Sequence, residues 1–100
     1  MVKKYYSDYV RHALRFYTRN QTPPSTYESA ASVEDWNACK IVFDTLLPVS
    51  REMLIAVYQP LDTMADKVYK AAKKFNIPQD NIWSLMADVE KLIAQERGLL

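Results

Sequence analysis

The chain has 100 residues, 49% of them apolar, with a formal net charge of +1. That length allows one domain with a small core. One Gly, one Cys and one His exclude a Gly-rich phosphate loop, an internal disulfide and a Cys/His zinc site. With so little Gly and long apolar-periodic runs, the expected fold class is all-α, with about five helices.

Segment one, Ser7 to Arg19, places Tyr6, Val10, Ala13, Leu14 and Tyr17 at helical spacing on one apolar face, with Ser7 or Asp8 as its N-cap. Arg11, Arg15 and Arg19 recur every four residues and line one polar ridge, either a solvated face or a phosphate-contacting one. Tyr5, Tyr9 and Phe16 exceed what one face can bury. They are candidates for a partner-binding surface, and a symmetric homodimer is the expected form of it.

From Asn20 to Ala31 the chain has no periodicity and carries Pro23-Pro24, so it reads as a loop, with Tyr27 pinning it to the body. Segment two opens at Ser32, read as a cap three residues before Asp35. Trp36, Cys39, Lys40, Phe43, Leu46 and Leu47 follow at spacings of three and four, and Pro48 ends it. Segment three, Ser50 to Tyr58, has Ser50 as a cap and buries Met53, Leu54, Val57 and Tyr58; Pro60 stops it.

The last forty residues carry the most specific pattern. Two amphipathic segments, 62–75 and 79–98, are joined by Asn76-Ile77-Pro78. Ala72 is small, as a close helix crossing requires. Asn76 stands four residues on, where the chain leaves the first helix through a left-handed residue. Ile77 turns inward, and Ile82 and Leu85 anchor the second helix, with Val89, Leu92 and Ile93 continuing its apolar face. This is the spacing of a C-terminal helix-turn-helix, whose second helix usually enters a DNA major groove. Residues 1–47 then form an N-terminal helical part, and 48–100 the helix-turn-helix part, of one domain.

The run Leu47-Pro48-Val49-Ser50-Arg51-Glu52-Met53-Leu54-Ile55-Ala56-Val57-Tyr58, with the two helices after it, resembles the promoter-reading fourth region of bacterial sigma factors. In that family a Leu-Pro and a short polar stretch precede a helix of the kind Arg-Glu-x-Leu-x-x-x-Tyr. Here Arg51, Glu52, Leu54 and Tyr58 fit it. The similarity covers roughly residues 46–100 and extends to small phage and mobile-element regulators of Gram-positive bacteria. It implies a DNA-binding transcriptional regulator with double-stranded DNA and RNA polymerase as partners. Three features depart from the family pattern. Asn76 replaces the usual turn Gly, Pro78 replaces a Ser or Thr cap, and residues 78–100 hold two bases against four acids.

The DNA-binding candidates are Lys67, Lys70, Lys73 and Lys74 on phosphates, and Gln79, Asn81, Ser84 and Lys91 around the groove. Asp80, Asp88 and Glu90 make the second helix acidic. That favours an alternative, a protein-interaction module that keeps the helix-turn-helix shape and binds a polypeptide through an exposed Trp83. No catalytic constellation is visible. His12 has no nucleophile nearby, Cys39 is read as buried and inert, and Glu34, Asp35 and Asp44 are read as caps and solvated faces. No cofactor is expected. Residues 1–20 lack the apolar run of a signal peptide, and no stretch is long enough to span a membrane, so a cytoplasmic location is expected.

Overall fold

Five α-helices account for the secondary structure in a computed structural model that describes residues 5–20, 22 and 29–100. They are α1 Ser7–Arg19, α2 Ala30–Asp44, α3 Pro48–Tyr58, α4 Met64–Phe75 and α5 Gln79–Glu96. Tyr27, expected to pin the loop to the body, lies outside the described residues. The fold is all-α, with no strand among the described residues. No described helix is long and apolar enough to cross a membrane.

The helix boundaries follow local chemistry, with some corrections to the sequence reading. α1 follows directly from Tyr6 and has no side-chain cap, so neither Ser7 nor Asp8 serves as one; Ser7 is itself buried. α2 starts two residues earlier than expected because Ser29 is its cap. The Ser32 N–H donates to Ser29 Oγ at 3.1 Å, which satisfies one of the open N–H groups of the first turn. α3 begins at Pro48 with no side-chain cap, so Ser50 lies inside the helix. Proline suits that first position because its missing N–H is one the helix cannot use. Thr63 caps α4 by accepting from the Asp66 N–H. Arg51 closes the C-terminal end of α2, donating its Nε–H to the Phe43 carbonyl at 2.8 Å. A cation at the negative end of the helix dipole is favourable there.

One core draws on all five helices. The α1 stripe Val10, Ala13, Leu14 and Tyr17 is buried as its period requires. The Tyr17 ring meets Trp36 and Phe43 edge-on, with centroids 5.3 and 4.8 Å apart, a geometry that aromatic quadrupoles favour. The Trp36 indole N–H, which must find an acceptor when buried, donates to the Asn20 carbonyl at 2.6 Å. Leu54, Val57 and Tyr58 of α3 pack inward, while Met53 is only half-buried.

On α5 the apolar face matches the expected one at Ile82, Val89 and Ile93 but has Met86 where Leu85 was expected. Ile82, Met86, Val89 and Ile93 are buried, whereas Leu85 is half-buried and Leu92 is exposed. The buried stripe advances by four and then three residues, which an α-helix accommodates as readily as three and then four. Glu90 shares that stripe and is 2% exposed. Its carboxylate accepts from the Tyr58 hydroxyl of α3 and from Arg11 Nε of α1. It is therefore an interior tie between three helices and not part of an acidic outer face.

The chain end is tied down in a similar way. Arg97 donates to Asp35, to Glu34 and to the Tyr9 hydroxyl, at 2.6 to 2.9 Å. Tyr9 in turn donates to Asp35 at 2.8 Å. Asp35 is thus a buried acceptor and not a helix cap. The Tyr5 hydroxyl donates to the Leu99 carbonyl.

Candidate nucleic-acid interface

Helix α4 ends as its sequence requires. Asn76 has φ 55° and ψ 50°, the left-handed conformation. The N–H groups of Asn76 and Ile77 both reach back to the Ala72 carbonyl, so the helix closes on itself and the chain reverses. After two more residues α5 begins at Gln79. Ala71 and Ala72 are buried at this junction, and Ile77 packs half-buried against the core.

An open cleft of about 470 Å³ lies across the junction, lined by Tyr69, Ala72, Lys73, Asn76, Ile77, Pro78 and Gln79. Lys73 sits over the Tyr69 ring, its Nζ 5.1 Å from the centroid, so the ring holds the stem while the charge faces solvent. Lys74 is placed similarly over Phe75. Pro78 supplies no side-chain oxygen to cap α5. The Asn81 N–H donates to the Pro78 carbonyl at 3.1 Å, and no side chain caps the positive end of the helix dipole. The cleft thus combines a lysine, a terminal amide at Gln79 and an uncapped helix N-terminus, a set suited to a phosphate ester beside a hydrogen-bonding edge.

The four α4 lysines expected on phosphates do not act alike. Lys67 is 3% exposed and its Nζ donates to the Pro60 carbonyl at 3.1 Å, so it faces inward and does not reach a groove. Lys70 is exposed but paired with Asp62 at 2.9 Å, which pushes its ammonium pKa up. Lys73 and Lys74 are exposed and have no carboxylate partner among the described residues. On α5, Gln79, Asn81, Ser84 and Lys91 are all exposed, as are Asp80 and Asp88. Asn81, Ser84, Asp88 and Lys91 share one face by their spacing.

The expected partner-binding residues also separate. Tyr5 is 79% exposed, but Tyr9 is engaged with Asp35 and Arg97. Phe16 is half-buried against the core, and Trp83 is too, contrary to the expectation of an exposed Trp83. An aromatic already packed on its own core has less surface to offer a partner. Cys39 is buried, and burial pushes its thiol up to about 12.

Two features escaped the sequence reading. Tyr69 is the aromatic wall of the cleft, and its signal was the i, i+4 spacing to Lys73. Glu90 had a signal as well, since it stands four residues after Met86 and three before Ile93, within the apolar stripe. Comparisons with family models, with curated proteins and with solved structures found no match to this chain.

Proposed function

We propose that the protein is a small DNA-binding transcriptional regulator, of the kind carried by phages and integrated elements, that presents a sigma-like helix-turn-helix to the major groove. The observation that carries this reading is the cleft at the α4–α5 junction. Lys73 and Gln79 flank a left-handed Asn76 there, and the N-terminal end of α5, which no side chain caps, lies beside them. In this reading Lys73 and Lys74 contact the backbone, and Gln79, Asn81, Ser84 and Lys91 meet base edges or flanking phosphates. Lys67 drops out because its ammonium is spent on the Pro60 carbonyl. Asp80 has two roles open to it, accepting from a cytosine amino group and complementing the helix dipole.

A salt titration of duplex binding tests the reading. Affinity must fall steeply as salt rises. Lys73→Ala with Lys74→Ala should flatten the slope by up to about two units across all sequences. Gln79→Ala should instead relax preference at one or two base pairs. If no duplex binds with salt-sensitive affinity at low ionic strength, the DNA reading fails.

A second reading, a protein-interaction module, is favoured by the exposed acids Asp80 and Asp88 on α5 and by the exposed Leu47 and Leu61 flanking α3. It no longer centres on Trp83. The same titration separates the two, since a module of that kind shows no affinity for duplex.

A further inference from the structure

The arginine ridge of α1 is not used by the α4–α5 cleft. Its two ends are anchored. Arg11 Nε donates to Glu90 at 3.0 Å, and Arg19 Nε donates to the Gln59 carbonyl at 3.0 Å. Arg15 lies one turn from each on the same ridge and is half-buried. Lys67 enters from α4 and donates to the Pro60 carbonyl, the next one along the chain from the carbonyl that holds Arg19. Gln59 is itself fixed, since its Nε2 donates to the Thr18 carbonyl at 2.9 Å. Cations from α1 and α4 therefore meet at the Gln59–Pro60 corner, where α3 ends.

The charges at this corner do not balance. Glu90 neutralises Arg11. Asp62, the carboxylate near Lys67, makes its hydrogen bond to Lys70. No carboxylate among the described residues pairs with Arg15 or Arg19. Burial pushes the Lys67 ammonium pKa down, and the positive charges of Arg15 and Arg19 push it further in the same direction.

Closing the C-terminal end of α3 explains only part of this arrangement. It uses one donor of Arg19 and one of Lys67. An arginine carries five N–H donors, and among the described residues one donor of the exposed Arg19 meets an acceptor, the Gln59 carbonyl. Like charges held together in a partly buried place repel. A compact anion with several acceptor oxygens relieves that repulsion and accepts from guanidinium donors, and a phosphate group has this chemistry.

We propose that Arg15 and Arg19, with the buried charge of Lys67 behind them, form a phosphate-binding site at the corner between α1, α3 and α4. The phosphate is either free or carried on a duplex backbone. The second source extends the DNA contact onto α1 and rests on the DNA reading above.

The test uses the full chain, with arginine Nε–H and backbone amide resonances followed by NMR. Inorganic phosphate is titrated first, then a short mixed-sequence duplex, at constant ionic strength. Phosphate should shift the Arg15 and Arg19 Nε–H signals saturably. Arg15→Gln should weaken that binding by about tenfold or more, as expected for a lost charge-assisted contact. Arg15→Lys should recover part of it. Lys40→Gln, which removes the same charge from an exposed pair on α2, should leave it unchanged. Arg19 is exposed, so Arg19→Gln gives a second probe if Arg15→Gln disturbs the fold.

If the duplex moves Lys73 and Gln79 while neither ligand moves Arg15 or Arg19, the site is refuted and the DNA reading stands. If phosphate moves Arg15 and Arg19 while the duplex moves nothing, the site holds a free phosphate and the DNA reading fails. Shifts of equal affinity in wild type and in both glutamine variants also refute the site.

Discussion

The Tyr58 hydroxyl donates to the Glu90 carboxylate at 2.5 Å across 32 residues of sequence, with both side chains buried. Arg11 reaches the same oxygen from α1 at 3.0 Å. A carboxylate inside a small core costs several kcal/mol unless its partners are in place. Here two partners on two other helices supply them, so α1, α3 and α5 are fixed relative to one another by a single oxygen. Burial, and then the negative charge of Glu90, push the Tyr58 phenol well above its ordinary range.

Glu90→Ala should therefore be costly, by roughly 3–5 kcal/mol, because it strands Arg11 and Tyr58 inside the protein. Tyr58→Phe should cost about 1–3 kcal/mol through the acceptor it leaves. The double variant should cost clearly less than the sum, since the two share one bond. Urea denaturation of all three checks this. Additive losses would show that the contact is not energetically coupled.

At the α4 end, Asn76→Gly should be neutral or mildly stabilising, because φ 55° suits glycine better than any residue with a Cβ. Asn76→Val should cost about 1 kcal/mol or more through its branched Cβ. Thermal melts of both variants provide the comparison. Equal melting temperatures would contradict the left-handed turn.

Within α5, Met86→Ala should cost roughly 2–5 kcal/mol, the range for a fully enclosed side chain. Leu85→Ala should cost less, because Leu85 is only half-buried. A larger loss at position 85 than at 86 would put Leu85, as expected from the sequence, and not Met86 in the buried stripe.

Alkaline pH should weaken the fold in a defined window. Cys39 is raised from 9.0 to about 12 by burial. Below pH 9 the folded and unfolded chains both hold its proton, and the full contribution is present. As pH rises from 9 toward 12 the unfolded chain releases a proton that the folded chain keeps, so stability falls, by up to about 1.4 kcal/mol per pH unit for one group. Tyr17 and Tyr58 are also raised and act in the same direction, whereas Lys67 is lowered and opposes them. Urea midpoints at pH 8 and 11 should converge for wild type and Cys39→Ala as pH rises. A pH-dependent loss as steep in Cys39→Ala as in wild type would remove the thiol from the account.

Helix periodicity acts within a few residues, and the five helices were legible in the sequence. The α1 stripe and the left-handed Asn76 follow from neighbours three or four positions away, whereas the caps expected at Ser7 or Asp8, Ser32 and Ser50 are not the ones these helices use. Lys73, Asn76 and Gln79 were legible as candidates along one short stretch, but the cleft they share with Tyr69 was not. What the sequence by itself left open was which polar groups go inside. Asp35 and Lys67 look like surface residues on their own helices, and Glu90, although it falls within the apolar stripe of α5, carries a charge that the stripe alone does not accommodate. Each is drawn inward by partners on other elements. Arg11 lies 79 residues from Glu90, Arg97 lies 62 from Asp35, and the Pro60 carbonyl turns toward Lys67 from the α3–α4 connection. A buried charge is tolerated only where such partners converge, and convergence over those separations is a property of the packed helices that no local pattern encodes.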